Sequence, residues 1–151
     1  MTMDFEMSKT LLTAKILQIA YLVAILIYVI MLSIALPYVG FESIYPLGDP
    51  ILIITEGVLS IVAVICIALG YLLPRWTIKW YKQNVQGLLS VHIVRSALFE
   101  AVAIYGLVLG ILGAKWPILL PFLAIAALAL ILTFPTEEKW RNMIGHKEHL
   151  H

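Results

Sequence analysis

The stretch HIVRSALFEAVAIYGLVLGILG, residues 92–113, decides the class of this fold. Past Ser96 it is a run of apolar and small residues interrupted by one carboxyl, Glu100. A helix needs roughly 20 such residues to cross the hydrocarbon core of a bilayer. The run is too continuous for a helix that turns one polar face to water.

Three more runs of the same kind lie on either side. By length and apolar content, spans are predicted at about 14–37, 51–73, 88–113 and 117–134. Leu36-Pro37 and Leu73-Pro74 are expected to end the first two, because the residue before a proline is pushed out of helical geometry. Pro117 falls in the first turn of the fourth, where a missing N–H costs nothing. Pro121, deeper in, is expected to tilt or kink that start. The whole chain agrees: it is 62% hydrophobic and 13% charged, against about 45–50% and about 25% in a soluble domain. With 151 residues, four spans leave no room for a separate soluble domain. The predicted class is an all-α membrane protein with four transmembrane helices.

The polar segments set the orientation. Residues 1–10, MTMDFEMSKT, read as a short interfacial lead into an uncleaved first helix, since the run that follows is too long for a signal peptide. The 38–50 connection has no Lys or Arg. The 74–85 connection, PRWTIKWYKQNV, sets Arg75, Lys79 and Lys82 among Trp76, Trp80 and Tyr81. Basic residues favour the cytoplasmic side and Trp and Tyr the headgroup level. Beside two spans this is an interfacial belt, not a single-strand nucleic-acid surface, and a net charge of +1 supplies no basic field for nucleic acid. The 135–151 tail is polar and expected to lie partly helical on the membrane surface. Lys115 is the basic residue left for the outer side. Both termini are therefore predicted in the cytoplasm, and the chain is placed as multi-pass in the cell (inner) membrane.

The spans carry an internal likeness. Shifted by 77, residues 11–35 lie on 88–112 with nine identities in 25, among them Ile16/Ile93, Tyr28/Tyr105 and Leu32/Leu109. Pro74 with Lys79-Trp80 and Pro135 with Lys139-Trp140 extend it loosely. The expectation is two hairpins related as a parallel repeat about the membrane normal. The copies differ where chemistry enters: Gln18 faces Arg95 in the alignment, and Val23 faces Glu100.

Those differences name the candidate residues. Glu100 lies about 10 Å inside the membrane at about 1.5 Å per residue, where a charge costs about 2.5–3.5 kcal/mol on insertion scales unless it meets protein or water. Helical spacing aligns it with Ser96, Ala103, Gly106, Gly110 and Gly113, a face of small residues suited to close helix packing. Arg95 is about 140° round the helix from Glu100, so it is a poor intrahelical partner, and it is near enough to the edge to snorkel. His92 is expected at that interface. Glu56 sits in the outer half of the second span, heading Ser60, Ala63 and Gly70. Gln18, Tyr21 and Tyr28 share a face of the first span that is expected to find hydrogen bonds on other helices. Three roles stay open for the two carboxyls: polar anchors between helices, a proton or cation path, or the lining of a lipid- or quinone-binding pocket.

The second hairpin, from IVRSALFEAVAIYGLVLGIL to FPTEEKW, resembles a broad group of prokaryotic four-span membrane proteins of uncharacterised activity. The likeness rests on an Arg-x4-Glu-x4-aromatic-Gly pattern and a Pro-Thr-acidic helix exit, and covers about 50 residues. It implies Arg95, Glu100 and Gly106 as residues of interest and implies no activity. The chain lacks the paired cysteines of the membrane disulfide-forming oxidoreductases, since Cys66 is alone. Small multidrug exporters carry their carboxylate in the first span, and here it is in the third.

No nucleophile–base pair stands out, and His146, Glu148, His149 and His151 in the tail match no established metal spacing. No catalytic residue, metal or cofactor is assigned. The expected function is that of a non-enzymatic integral membrane protein, with the bilayer, copies of itself or other membrane subunits as partners. The alternatives are a small proton- or cation-coupled transporter using Glu100, or a lipid- or quinone-binding membrane protein.

Overall fold

The computed structural model describes residues 2–38, 50–81 and 85–145. Five helices follow in order: α1 (Thr2–Tyr38), α2 (Pro50–Tyr81), α3 (Val85–Ile111), α4 (Trp116–Leu132) and α5 (Glu137–Gly145). The described residues contain no strand. Three stretches are long and apolar enough to cross a membrane, Glu6–Ile34, Pro50–Thr77 and Gln86–Ile111, and α4 is a shorter apolar helix.

α3 is the hub. α1, α2 and α4 each pack along it, α1 also touches α4, and α1 meets α2 little. So α3 and α4 form a closely packed hairpin while α1 and α2 do not. Matched contacts give the directions. Gln18 meets Ser96, and Leu32 lies against Gly110, so α1 runs parallel to α3. Cys66 meets Tyr105 and Gly70 meets Phe99, so α2 runs antiparallel to it. Arg95 meets Thr133 and Gly106 meets Phe122, so α4 does too. The fourth side of α3 is a stripe of exposed Val94, Ala97, Ile104, Val108 and Ile111, spaced three, four or seven apart. Apolar surface of that kind on α1, α2 and α4 as well fits a bundle whose solvent is lipid, where the outside is as apolar as the inside.

Several boundaries differ from expectation. The lead is no separate segment: helix begins at Thr2 and runs without a break into the first span. α2 continues through Pro74 to Tyr81, so residues 74–81 extend the helix and are not a loop. A proline inside a helix removes one backbone bond, here the one to Gly70, and residues on both sides keep the helix going. Pro37 likewise lies within the last turn of α1. Pro121 lies inside α4, which stays one element. The ends of the apolar runs nearest α5 are marked by Lys15 and Arg75.

Gly113 belongs to a turn and not to the packing stripe. Its φ is 98°, a left-handed value that glycine adopts without strain. Ala114 N–H donates to Leu109 O at 2.9 Å and Gly113 N–H to Gly110 O at 3.1 Å. This double bond pattern is the Schellman stop of a helix. It reverses the chain into α4 within four residues, Leu112 to Lys115.

Gly106 and Gly110 do sit on the packing face. A methyl at Gly106 would stand 3.0 Å from Phe122 Cβ, and one at Gly110 would collide with Leu32 Cδ2. These glycines let α4 and α1 close on α3 over buried Ala103, Leu109, Leu119 and Ala126.

α5 packs against the bundle. Its Trp140 is buried with Leu11 and Ala14 of α1 and packs near Leu89 of α3. Thr136 caps its first turn, accepting from Lys139 N–H at 3.4 Å, while Glu137 and Glu138 favour its positive end. Trp140→Ala removes the anchor of this helix. Limited proteolysis within residues 133–145 is expected to become at least several-fold faster, with the spans intact. Unchanged cleavage would show that α5 is held by something else.

Candidate functional site: the capped end of α4 and the carboxyls beside it

α4 is too short for its setting. It has 17 residues, about 25 Å at 1.5 Å per residue, against a core of about 30 Å. The cause of the stop is local. Pro135 has no N–H to offer Ile131, and it forces Phe134 away from helical geometry. A helix that ends early leaves carbonyls without partners where no water replaces them.

Each of these carbonyls has a donor. Thr133 N–H donates to Ala129 O at 3.1 Å and Phe134 N–H to Ile131 O at 3.2 Å. Gln18 Nε2 of α1 donates to Leu130 O. Lys139 Nζ of α5 donates to Leu132 O at 3.4 Å. Arg95 Nη2 of α3 donates to Thr133 O at 3.0 Å. Two of the donors carry positive charge at the negative end of the helix dipole, which adds about 0.3–1 kcal/mol each.

Gln18 is fully buried, as are Ser96 and Thr133 within a few per cent. Its second donor bond goes to Thr133 Oγ1 at 3.4 Å, and its oxygen accepts from Ser96 Oγ at 3.2 Å. Thr133 Oγ1 passes its own proton back to Ala129 O at 2.7 Å. Arg95 also donates to His92 Nδ1 at 3.0 Å. His92 is buried inside the bundle. Arg95 does not snorkel into water: its guanidinium turns to α4 and is part-buried. Gln18 and Arg95 thus do one job from two helices. Thr133 and Leu130 were absent from the candidates. The signal that could have shown them is the short fourth span stopped by Phe134-Pro135.

Glu100 lies at the border between the packing face and the lipid stripe of α3 and is half-buried. Its partner comes from α1: Tyr28 Oη donates to Glu100 Oε1 at 3.2 Å. Tyr21, two turns before Tyr28, is within electrostatic reach of the same carboxyl. Glu56 sits on the face of α2 that packs on α3, in line with buried Leu52, Ala63, Cys66 and Gly70, and is itself half-exposed. It makes no hydrogen bond to another described residue. Arg95, His92, Ser96 and Glu100 share one region of α3, and Glu56 is far from them toward the other end. Cys66 Sγ lies 3.8 Å from Tyr105 Oη, between them. Among the described residues no group of three or more His, Cys, Asp or Glu is placed to hold a metal. The 39–49 connection, residues 82–84 of the basic segment, and the tail with His146, Glu148, His149 and His151 lie outside the described residues.

The architecture defines the class: an all-helical bundle with helices of membrane-spanning length. Comparisons with models of known families, with characterised protein sequences and with solved structures return no match. The likeness of the second hairpin to other four-span proteins therefore stands on its motif alone.

Proposed function

We propose that this chain is a non-catalytic multi-pass membrane protein, both termini cytoplasmic, that works as a subunit of a larger assembly, with copies of itself or with other membrane proteins. The observation that carries this reading is on α2. That helix packs mainly on one neighbour, α3, and holds a carboxyl, Glu56, with no partner among the described residues. An unpaired intramembrane carboxyl is costly, by about 2.5–3.5 kcal/mol for a charge near the bilayer centre. A donor from a neighbouring chain removes that cost. The polar residues of α3 and α1, by contrast, are engaged in holding the bundle together.

Co-purification in mild detergent, with mass measured on the intact complex, tests this. A species larger than one chain is expected, weakened by Glu56→Leu. A monomer in mild detergent, with no cross-linked neighbour in native membranes, would sink the proposal.

A second reading is favoured by one detail. Glu100 is half-exposed and only Oε1 has a hydrogen-bond partner, as a protonatable transport site requires. Glu100→Gln keeps an oxygen for Tyr28 and is expected to change stability by less than about 1 kcal/mol. In proteoliposomes, a proton-linked flux abolished by this substitution would establish transport. Absence of any flux from the wild-type chain would remove it.

A further inference from the structure

We infer that the groove between α2 and α4, at the end of the bundle where Arg95 lies, holds the phosphate of an anionic phospholipid. The inference needs the membrane setting but not the assembly proposed above.

α2 and α4 both pack on α3 but little on each other, so a groove opens to the lipid between them, with α3 as its floor. At the α5 end, Tyr71 of α2 leans on Phe99 of α3, ring centroids 5.4 Å apart, and lies within electrostatic reach of Arg95. Gly70, next to Tyr71, admits the Phe99 ring; a methyl there would stand 2.5 Å from Phe99 Cε1. Thr133 closes the opposite side through its bond to Arg95.

The groups here have more donors than acceptors. Arg95 Nη2 is used on His92 Nδ1 and Thr133 O, but Arg95 Nε is buried with no partner. His92 Nε2 is buried too, but on the α1 side, where the Ala14 backbone carbonyl stands toward it. Because His92 Nδ1 accepts from the arginine, the imidazole proton sits on Nε2. Arg95 Nε–H is therefore the buried donor left without an acceptor among the described residues. Buried donors of this kind call for an acceptor. No described carboxylate bonds to Arg95, and Glu100 is taken by Tyr28 on another face. Arg75, one turn beyond Tyr71 on α2, is exposed and unpaired among the described residues, and Lys139 stands at the end of α4.

Charge and depth choose the ligand. Arg75 and Lys15 mark where apolar sequence gives way to polar, which is headgroup level. Basic pockets between helices at that level bind anionic headgroups. Arginine suits a phosphate because its planar fork offers several N–H groups at once.

The test is native mass spectrometry of the full-length chain in detergent with phosphatidylglycerol, phosphatidylcholine or inorganic phosphate added. The wild type is expected to retain phosphatidylglycerol in preference to phosphatidylcholine. Arg95→Gln should reduce that retention by roughly tenfold and Arg75→Gln by about fivefold, the worth of one basic residue at a lipid surface. Arg75 caps nothing, so its variant folds even if Arg95→Gln does not. Equal retention of the two lipids, or unchanged retention in Arg75→Gln, overturns the inference. So does thermal stabilisation by millimolar inorganic phosphate equal to that by phosphatidylglycerol, which would make this a free-anion site. A monomer that binds phosphatidylglycerol would refute the assembly and leave this site standing.

Discussion

Replacing Gln18 by leucine should destabilise the bundle by about 2 kcal/mol, although it puts an apolar side chain into an apolar protein. The amide bonds Leu130 O, Thr133 Oγ1 and Ser96 Oγ from a fully buried position. Leucine satisfies none of them. Ser96 can turn back to a carbonyl of its own helix, and Thr133 Oγ1 already lies 3.3 Å from Leu130 O, so the loss is smaller than three bonds would suggest. Hydrogen bonds between membrane helices average only about 0.6 kcal/mol when both partners are removed together. The larger figure applies because here one partner stays behind, buried. Denaturation in mixed detergent micelles measures it, and a double-mutant cycle with Thr133→Val isolates the shared part. If Gln18→Leu is as stable as the wild type, the end of α4 is wetter than its burial indicates.

The second large effect is expected at Gly110. Gly110→Leu inserts a side chain where even a methyl would meet Leu32 of α1 and come 3.3 Å from Leu119 of α4. Overpacking of this kind costs typically 1–3 kcal/mol. About 3 kcal/mol is expected here, because two helices must move at once. The double variant Gly110→Ala with Leu32→Ala should recover much of the loss, since it returns the space on the α1 side. Failure of that rescue would mean that the strain falls on Leu119 instead. By the same argument Gly57 should tolerate alanine, for nothing lies within 4 Å of its added methyl.

These two positions show that α3 is held in different ways along its length. Near Glu100 and above, glycine and alanine let the helices touch, and dispersion does the work. Near Arg95 the short helix α4 ends, and polar side chains from three other helices complete its backbone. Arg95, which a reading by residue type marks as an ion-handling group, is better described as part of a helix terminus. The carboxyls differ from it. Glu100 has one partner and Glu56 has none among the described residues, so they are the groups left open to protons or a neighbouring subunit.

By itself, the sequence determined that this chain is helical and apolar enough to span a membrane. The reason is that a bilayer requires unbroken apolar helix, and unbroken apolar helix is visible one residue at a time. It also determined that Gly106 and Gly110 lie on a packing face, because helical periodicity is local. It could not say which residues would answer Glu100 and Arg95. Tyr28 and Glu100 are 72 residues apart, and Gln18 and Leu130 are 112 apart. Nothing in local spacing links them. It also misplaced the end of α2, because a proline stops a helix only when its neighbours do not sustain it. Only the tertiary structure decided that Gln18, Arg95 and Lys139 meet at the end of α4. The physical reason is that a backbone carbonyl left without water must be answered by whichever side chains the packing brings to it.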